Sequence, residues 1–157
     1  MGVLVIMRQG WLKALQMILI LMLFLYSGSS MAQSDLSWDI LSDVIFEEQY
    51  LEESDTYWLI PSFGDFIKLY ERQEVSIEGY LIVIDIDENF FVLSKYPYSA
   101  CFFCGAAGPD SIVELQLDQK LRGVQTDQKV RVRGRLSLNK SDIEHFNYIL
   151  TQASVIE

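Results

Sequence analysis

The sequence predicts an all-β fold carrying one or two short helices, and three observations predict it. From Glu74 onward, apolar residues alternate with polar ones in successive runs, the period of a half-buried strand. Glycines interrupt the first and fourth of these runs at matching places, Gly79 and Gly134. Turn-forming stretches such as Asp85–Asn89 (DIDEN) separate them. Strands bent at corresponding points curl a sheet on itself, which suggests a small five-stranded OB-like β-barrel. A flat sandwich is the alternative.

At 157 residues the chain fits one domain behind a leader. Met1 to Lys13 carries Arg8 and Lys13 and no acid, and Ala14 to Tyr26 is almost wholly apolar. Ser30 and Ala32 then stand at the −3 and −1 positions of a cleavage site before Gln33. A positive start, a short apolar run and a small-residue exit describe a secretory signal peptide over residues 1–32. The apolar run is shorter than the roughly 20 residues that span a bilayer, so no span is expected after cleavage. No cysteine lies near the exit, which argues against a lipoprotein. The expected product is exported, periplasmic or extracellular, with an extension over 33–72 and a barrel over 73–157. It would hold 10 basic and 22 acidic residues, net −12 against −10 for the whole chain. That charge excludes the basic footprint of a nucleic-acid binder. It suits cationic, metallic or oppositely charged protein partners.

In the extension, Ser37 can cap a helical turn through Trp38–Leu41. Val44-Ile45-Phe46 is a brief apolar run leading into the acids Glu47, Glu48, Glu52, Glu53 and Asp55, read as a solvated loop. Tyr57–Ile60 reads as a short strand stopped by Pro61. Phe63, Phe66, Ile67 and Tyr70 then recur at helical spacing, so a helix is expected over 61–72.

The barrel strands follow. Val75 to Ile84 forms the first, with Gly79 marking a bulge or bend. Phe90–Ser94 is the second and Ser111–Leu117 the third, with Glu114 on its polar side. Lys129–Leu138 places Val130, Val132, Leu136 and Leu138 on one face and Lys129, Arg131, Arg133 and Arg135 on the other. Residues 118–128 sit where an OB-type barrel usually carries a helix. Phe146–Ile156 is the last strand.

Chemistry concentrates between the second and third strands. Cys101 and Cys104, the only cysteines, stand as C-x-x-C-G with Pro97, Gly108 and Pro109 shaping the loop. Three readings are open. Two thiolates on a tight turn can hold a soft ion such as zinc or copper(I). Zinc would require more ligands, from His145, an acid such as Asp110, or a second copy of the chain. An exported C-x-x-C can instead cycle as a redox disulfide, although such a pair usually opens a helix and AAGPDS leaves no room for one. The third reading is a structural disulfide or two buried thiols. His145, the only histidine, would suit a thiolate site but is equally compatible with a surface role.

Other motifs carry less. Asp85, Asp87 and Asn89 open like a calcium loop, but Phe90 and Tyr96 occupy the positions needing glycine and glutamate. The basic ladder could grip an anion, or pair across the sheet with Glu74, Glu78 or Glu114. No nucleophile-and-base set and no phosphate-cradling loop is present, so a binding role is favoured over an enzyme.

Together, Trp38-Asp39-x-Leu41, the Val75-x-Ile77-x-Gly79-Tyr80 strand, Phe91-Val92-Leu93 with Tyr96-Pro97-Tyr98, the cysteine loop through Gly108-Pro109, and Val132-x-Gly134-x-Leu136 are familiar. The chain resembles a bacterial family of exported proteins of unknown function with an OB-like core. The commoner form of that family carries one cysteine followed by a histidine and a run of prolines. Here Cys104-Gly105 and a single Pro109 stand instead, so Cys101 alone keeps its counterpart. The resemblance implies an accessory to an envelope transport or assembly system, acting by binding. It supplies no catalytic residue. The expected metal set is Cys101, Cys104 and His145, holding zinc or copper.

Overall fold

The computed structural model describes residues 34–52 and 55–156, together with Met17. Ala32–Glu157 forms one compact unit. Apart from Met17, the expected signal peptide lies outside the described residues, as does Glu53 of the acidic cluster. No helix among the described residues is long and apolar enough to cross a membrane.

Among the described residues, eight strands and two four-residue helices follow in chain order. They are β1 (Ser34–Asp35), α1 (Trp38–Leu41), β2 (Val44–Leu51), β3 (Thr56–Phe63), α2 (Asp65–Lys68), β4 (Glu74–Asp85), β5 (Phe90–Ser94), β6 (Ile112–Leu117), β7 (Gln128–Leu138) and β8 (Tyr148–Val155). The last five close into a barrel in the order β4-β5-β6-β8-β7 and back to β4. β6 and β8 run parallel and every other barrel pair is antiparallel. This is the OB-type barrel that the alternation and glycine spacing predict.

β4 is long because it serves several neighbours. Glu74 to Leu81 pairs with β7 and Tyr80 to Asp85 with β5, while Val75 and Ser76 also receive β1. Val75, Ile77 and Leu81 point inward with Phe91, Leu93, Val113, Leu115, Val132, Leu136 and Leu150, all essentially without exposure. Leu41 from α1 and Ile67 from α2 are fully buried members of the same cluster. Burying each such side chain contributes about 1.5–3 kcal/mol. Tyr148 ties this packing together, for its hydroxyl donates to the Leu41 carbonyl at 2.6 Å. Burial, with smaller contributions from the negative Asp110 and Asp43, holds the Tyr148 phenol well above its ordinary value.

Gly134 bends β7 as expected, because the pairing with β8 slips between Arg133 and Arg135. Gly79 works differently. Register runs unbroken across it against β7, from Glu78↔Arg131 to Tyr80↔Lys129. A Cβ there would lie 2.6 Å from the Ser94 carbonyl oxygen and 2.9 Å from the Trp38 ring. Glycine is needed for close approach, and Trp38 secures that approach by donating from Nε1 to the Glu78 carbonyl at 2.7 Å.

Four expectations are corrected. The acids Glu47 and Glu48 belong to β2, a strand paired in register with β3, rather than to a loop. β3 passes through Pro61 to Phe63, and the helix expected over 61–72 shrinks to α2. The apparent helical period came from residues in three successive elements: Phe63 ends a strand, Phe66 and Ile67 form the helix, and Tyr70 follows in a turn. Glu114 is buried on β6, not part of a polar face. The connection 118–128 carries no helix; Asp118 and Asp127 donate backbone N–H groups to Ala153 and Leu81, and Leu121 donates to the Asn89 side chain.

Three members of the basic ladder pair within the sheet. Lys129 reaches Glu78, Arg131 reaches Asp35 at 3.1 Å and Glu78 at 3.8 Å, and Arg133 reaches Glu74 at 3.8 Å. Lys129 holds the Glu78 carboxyl below its ordinary range, and Glu78 raises Lys129 in turn.

Candidate site at the cysteine turn

The loop leaving β5 descends through three single 3-10 turns, Tyr98–Ala100, Phe102–Cys104 and Pro109–Ser111, before β6 begins. Its start is fixed by the Tyr98 N–H, which donates to the Asp127 carboxylate at 2.6 Å. Its end is fixed by Asp110, which accepts from the Ser42 hydroxyl at 2.9 Å. Both anchors lie far away in sequence, so the turn is presented by the barrel and α1 together.

Between the anchors both cysteines turn toward one atom. The thiols of Cys101 and Cys104 donate to the Tyr98 carbonyl oxygen at 3.1 Å and 2.9 Å. The Cys101 N–H donates to the same oxygen at 3.4 Å. The sulfurs are not bonded to each other; Cys101 is buried and Cys104 exposed. Gly105 ends the turn at φ +69, a left-handed conformation that costs glycine little and other residues more. A small hollow of about 280 Å³ opens beside the turn, walled by Lys95, Tyr96, Ala106 and Asp110 among others.

His145 stands in the β7–β8 loop. Its Nδ1 lies 2.8 Å from a carboxylate oxygen of Glu114, whose second oxygen accepts the Phe146 N–H at 3.1 Å. The loop is folded by Asn139, whose side-chain amide donates to the carbonyls of Asp142, His145 and Phe146. Phe146 carries the loop toward the cysteine turn, its ring 6.0 Å from that of Phe103. No cluster of three or more histidine, cysteine or acidic side chains able to hold a metal occurs among the described residues. The side chains that sequence reasoning missed are Tyr98, whose backbone oxygen gathers the thiols, and Asp127, which positions Tyr98. Tyr98 stands out in the sequence only as part of a motif, and nothing marks its carbonyl or its link to Asp127, because the contacts are made by backbone atoms and across a 29-residue separation.

The two sulfurs therefore offer a two-thiol set with a carbonyl oxygen between them. This suits a soft ion of low coordination number, and falls short of the four ligands that a structural zinc takes.

Fold and loop together define a small closed β-barrel of OB type that presents a paired-cysteine turn. No family model and no curated protein matches the sequence. A crystal structure of a DUF3299 family protein from Pseudomonas aeruginosa PAO1 is similar in fold, with a TM-score of 0.50 and 16% identity over 80% of this chain and 97% of that one. Its family is one of unknown function, in keeping with the resemblance drawn from the sequence; at this identity the likeness bears on the fold alone.

Proposed function

We propose that this protein is an exported binding module that captures copper(I) through Cys101 and Cys104, as an accessory to an envelope transport or assembly system. The observation that carries this reading is the convergence of both thiols on the Tyr98 carbonyl. Both sulfurs lie within 3.1 Å of that one oxygen, so they face a common point. A soft cation that takes the place of both protons turns the same arrangement into a ligand pair. Zinc would require further ligands from a second copy or a partner. His145 stays with Glu114. The leader-like residues 1–32 support export, and the net negative charge supports attraction of a cation.

A second reading is favoured by one observation, the difference in exposure between the two cysteines. An exposed Cys104 could attack a partner's disulfide as a thiolate, giving a mixed disulfide. Cys101 would then displace the partner's thiol, forming the Cys101–Cys104 bond and leaving the partner reduced by two electrons. Against it stands the short 3-10 turn, where a C-x-x-C pair of this kind usually opens a helix. Anaerobic titration with copper(I) against a colorimetric chelator tests the first reading. Loss of one bound equivalent in Cys101→Ser and in Cys104→Ser is expected. Full retention in both variants contradicts it.

A further inference from the structure

A cavity of about 600 Å³ lies between β3 and the loop joining β7 to β8. Its walls are five consecutive residues, Thr56–Ile60, and the run Lys140–Asn147, with Phe90, Phe102 and Pro109 completing the lining. A strand places five successive residues along one cavity only when it meets that cavity edge-on, since alternate side chains leave on opposite faces.

The backbone parity of β3 shows what that edge offers. Gly64 donates its N–H to the Asp43 carbonyl at 2.8 Å, adding one rung beyond the Val44↔Phe63 pair. Register between β2 and β3 is unbroken, so bonded rungs fall at Ser62, Ile60, Trp58 and Thr56. The residues between them, Tyr57, Leu59 and Pro61, turn their backbone groups away from β2. Pro61 fits this parity, because a strand proline must face where no N–H is wanted. Tyr57 and Leu59 thus line the cavity with an open row of donors and acceptors, the kind of edge onto which another strand can add.

Two further features describe the occupant. Trp58 Nε1 is buried in this wall without a hydrogen-bond partner, and a buried donor of that kind is costly until an acceptor reaches it. Among the lining residues stand exposed Asp142 and Glu144, against Lys140. We infer that an extended, basic segment of another protein adds to β3 as a third strand, its apolar side chains entering the cavity and a carbonyl reaching Trp58. Phe102 of the cysteine turn contributes to one wall, but the strand addition is made by β3 and uses neither thiol.

The parity supplies a clean test. Leu59→Pro removes an outward N–H without breaking a rung to β2, and Leu59→Ala keeps that N–H while shortening the side chain. The probe is a capped ten-residue peptide alternating valine and lysine, titrated by calorimetry at low salt. Saturable one-to-one binding is expected, weakened about tenfold by Leu59→Pro with the melting temperature and circular dichroism unchanged. Leu59→Ala and the double variant Cys101→Ser/Cys104→Ser are expected to bind within about threefold of the parent. Equal binding by Leu59→Pro, no saturable binding of the peptide, or displacement of the peptide by sodium dodecanoate alone would each overturn the proposal. So would a dimer in sedimentation that Leu59→Pro dissolves, because the occupant would then be a second copy.

Discussion

His145 sets its Nδ1 2.8 Å from a carboxylate oxygen of Glu114, a residue that β6 keeps at 4% exposure. The lone histidine and a buried acid therefore hold each other, and with the Phe146 N–H they pin the β7–β8 loop to the barrel wall. His145→Ala is expected to lower stability by about 1 kcal/mol, because its side chain is partly in water. Glu114→Ala removes the acceptor for both groups and is expected to cost about 2–3 kcal/mol. Thermal melts check the order, and copper(I) stoichiometry is expected to be the same in His145→Ala as in the parent.

Gly79→Ala tests the close approach of Trp38 to β4. The added Cβ meets the Ser94 backbone oxygen at 2.6 Å, which has no flexible end to yield. A loss of about 1–3 kcal/mol is expected in denaturant titration. A change under half a kilocalorie would contradict the packing described for this corner.

Tyr148→Phe deletes the hydroxyl that the Leu41 carbonyl accepts from, at an expected cost of about 1–2 kcal/mol. The same group predicts a pH dependence. The folded-state phenol is raised above its ordinary value of 10.0, so its contribution is complete below that pH and declines as pH rises through the range where the unfolded phenol ionises. The parent should lose stability from about pH 10 upward more steeply than Tyr148→Phe.

The charge ladder predicts little. Glu78 and Lys129 are exposed, so Lys129→Ala should lower the melting temperature slightly and only at low ionic strength. The Glu78 carboxyl is held below its ordinary value of 4.5, so what the pair contributes is present above that pH and fades as pH falls through the lowered value.

Much of the barrel was legible because strands buried on one face repeat every two residues. The β7 pattern of Val130, Val132, Leu136 and Leu138 against four basic residues specified both its faces and, through Gly134, its bend. The β2–β3 hairpin was hidden by its composition. Glu47 and Glu48 look like solvated charge, and Pro61 looks like a stop, until β2 and β3 are seen to form a two-stranded hairpin in which both strands are edges. Glu114 misled in the opposite sense, since its burial depends on His145 and Phe146, some thirty residues away. At the site, the cysteines announced themselves by spacing. Their meeting point, a main-chain oxygen at Tyr98, has no residue type to betray it.

If the Cys101 and Cys104 sulfurs form one ligand pair, a metal bound there sees both. The most direct measurement is sulfur-edge and copper-edge X-ray absorption on the protein loaded anaerobically with one equivalent of copper(I). A two-sulfur shell that disappears in Cys101→Ser, with no nitrogen scatterer from imidazole, is the result predicted. A shell that includes imidazole, or one that survives loss of Cys101, would contradict it.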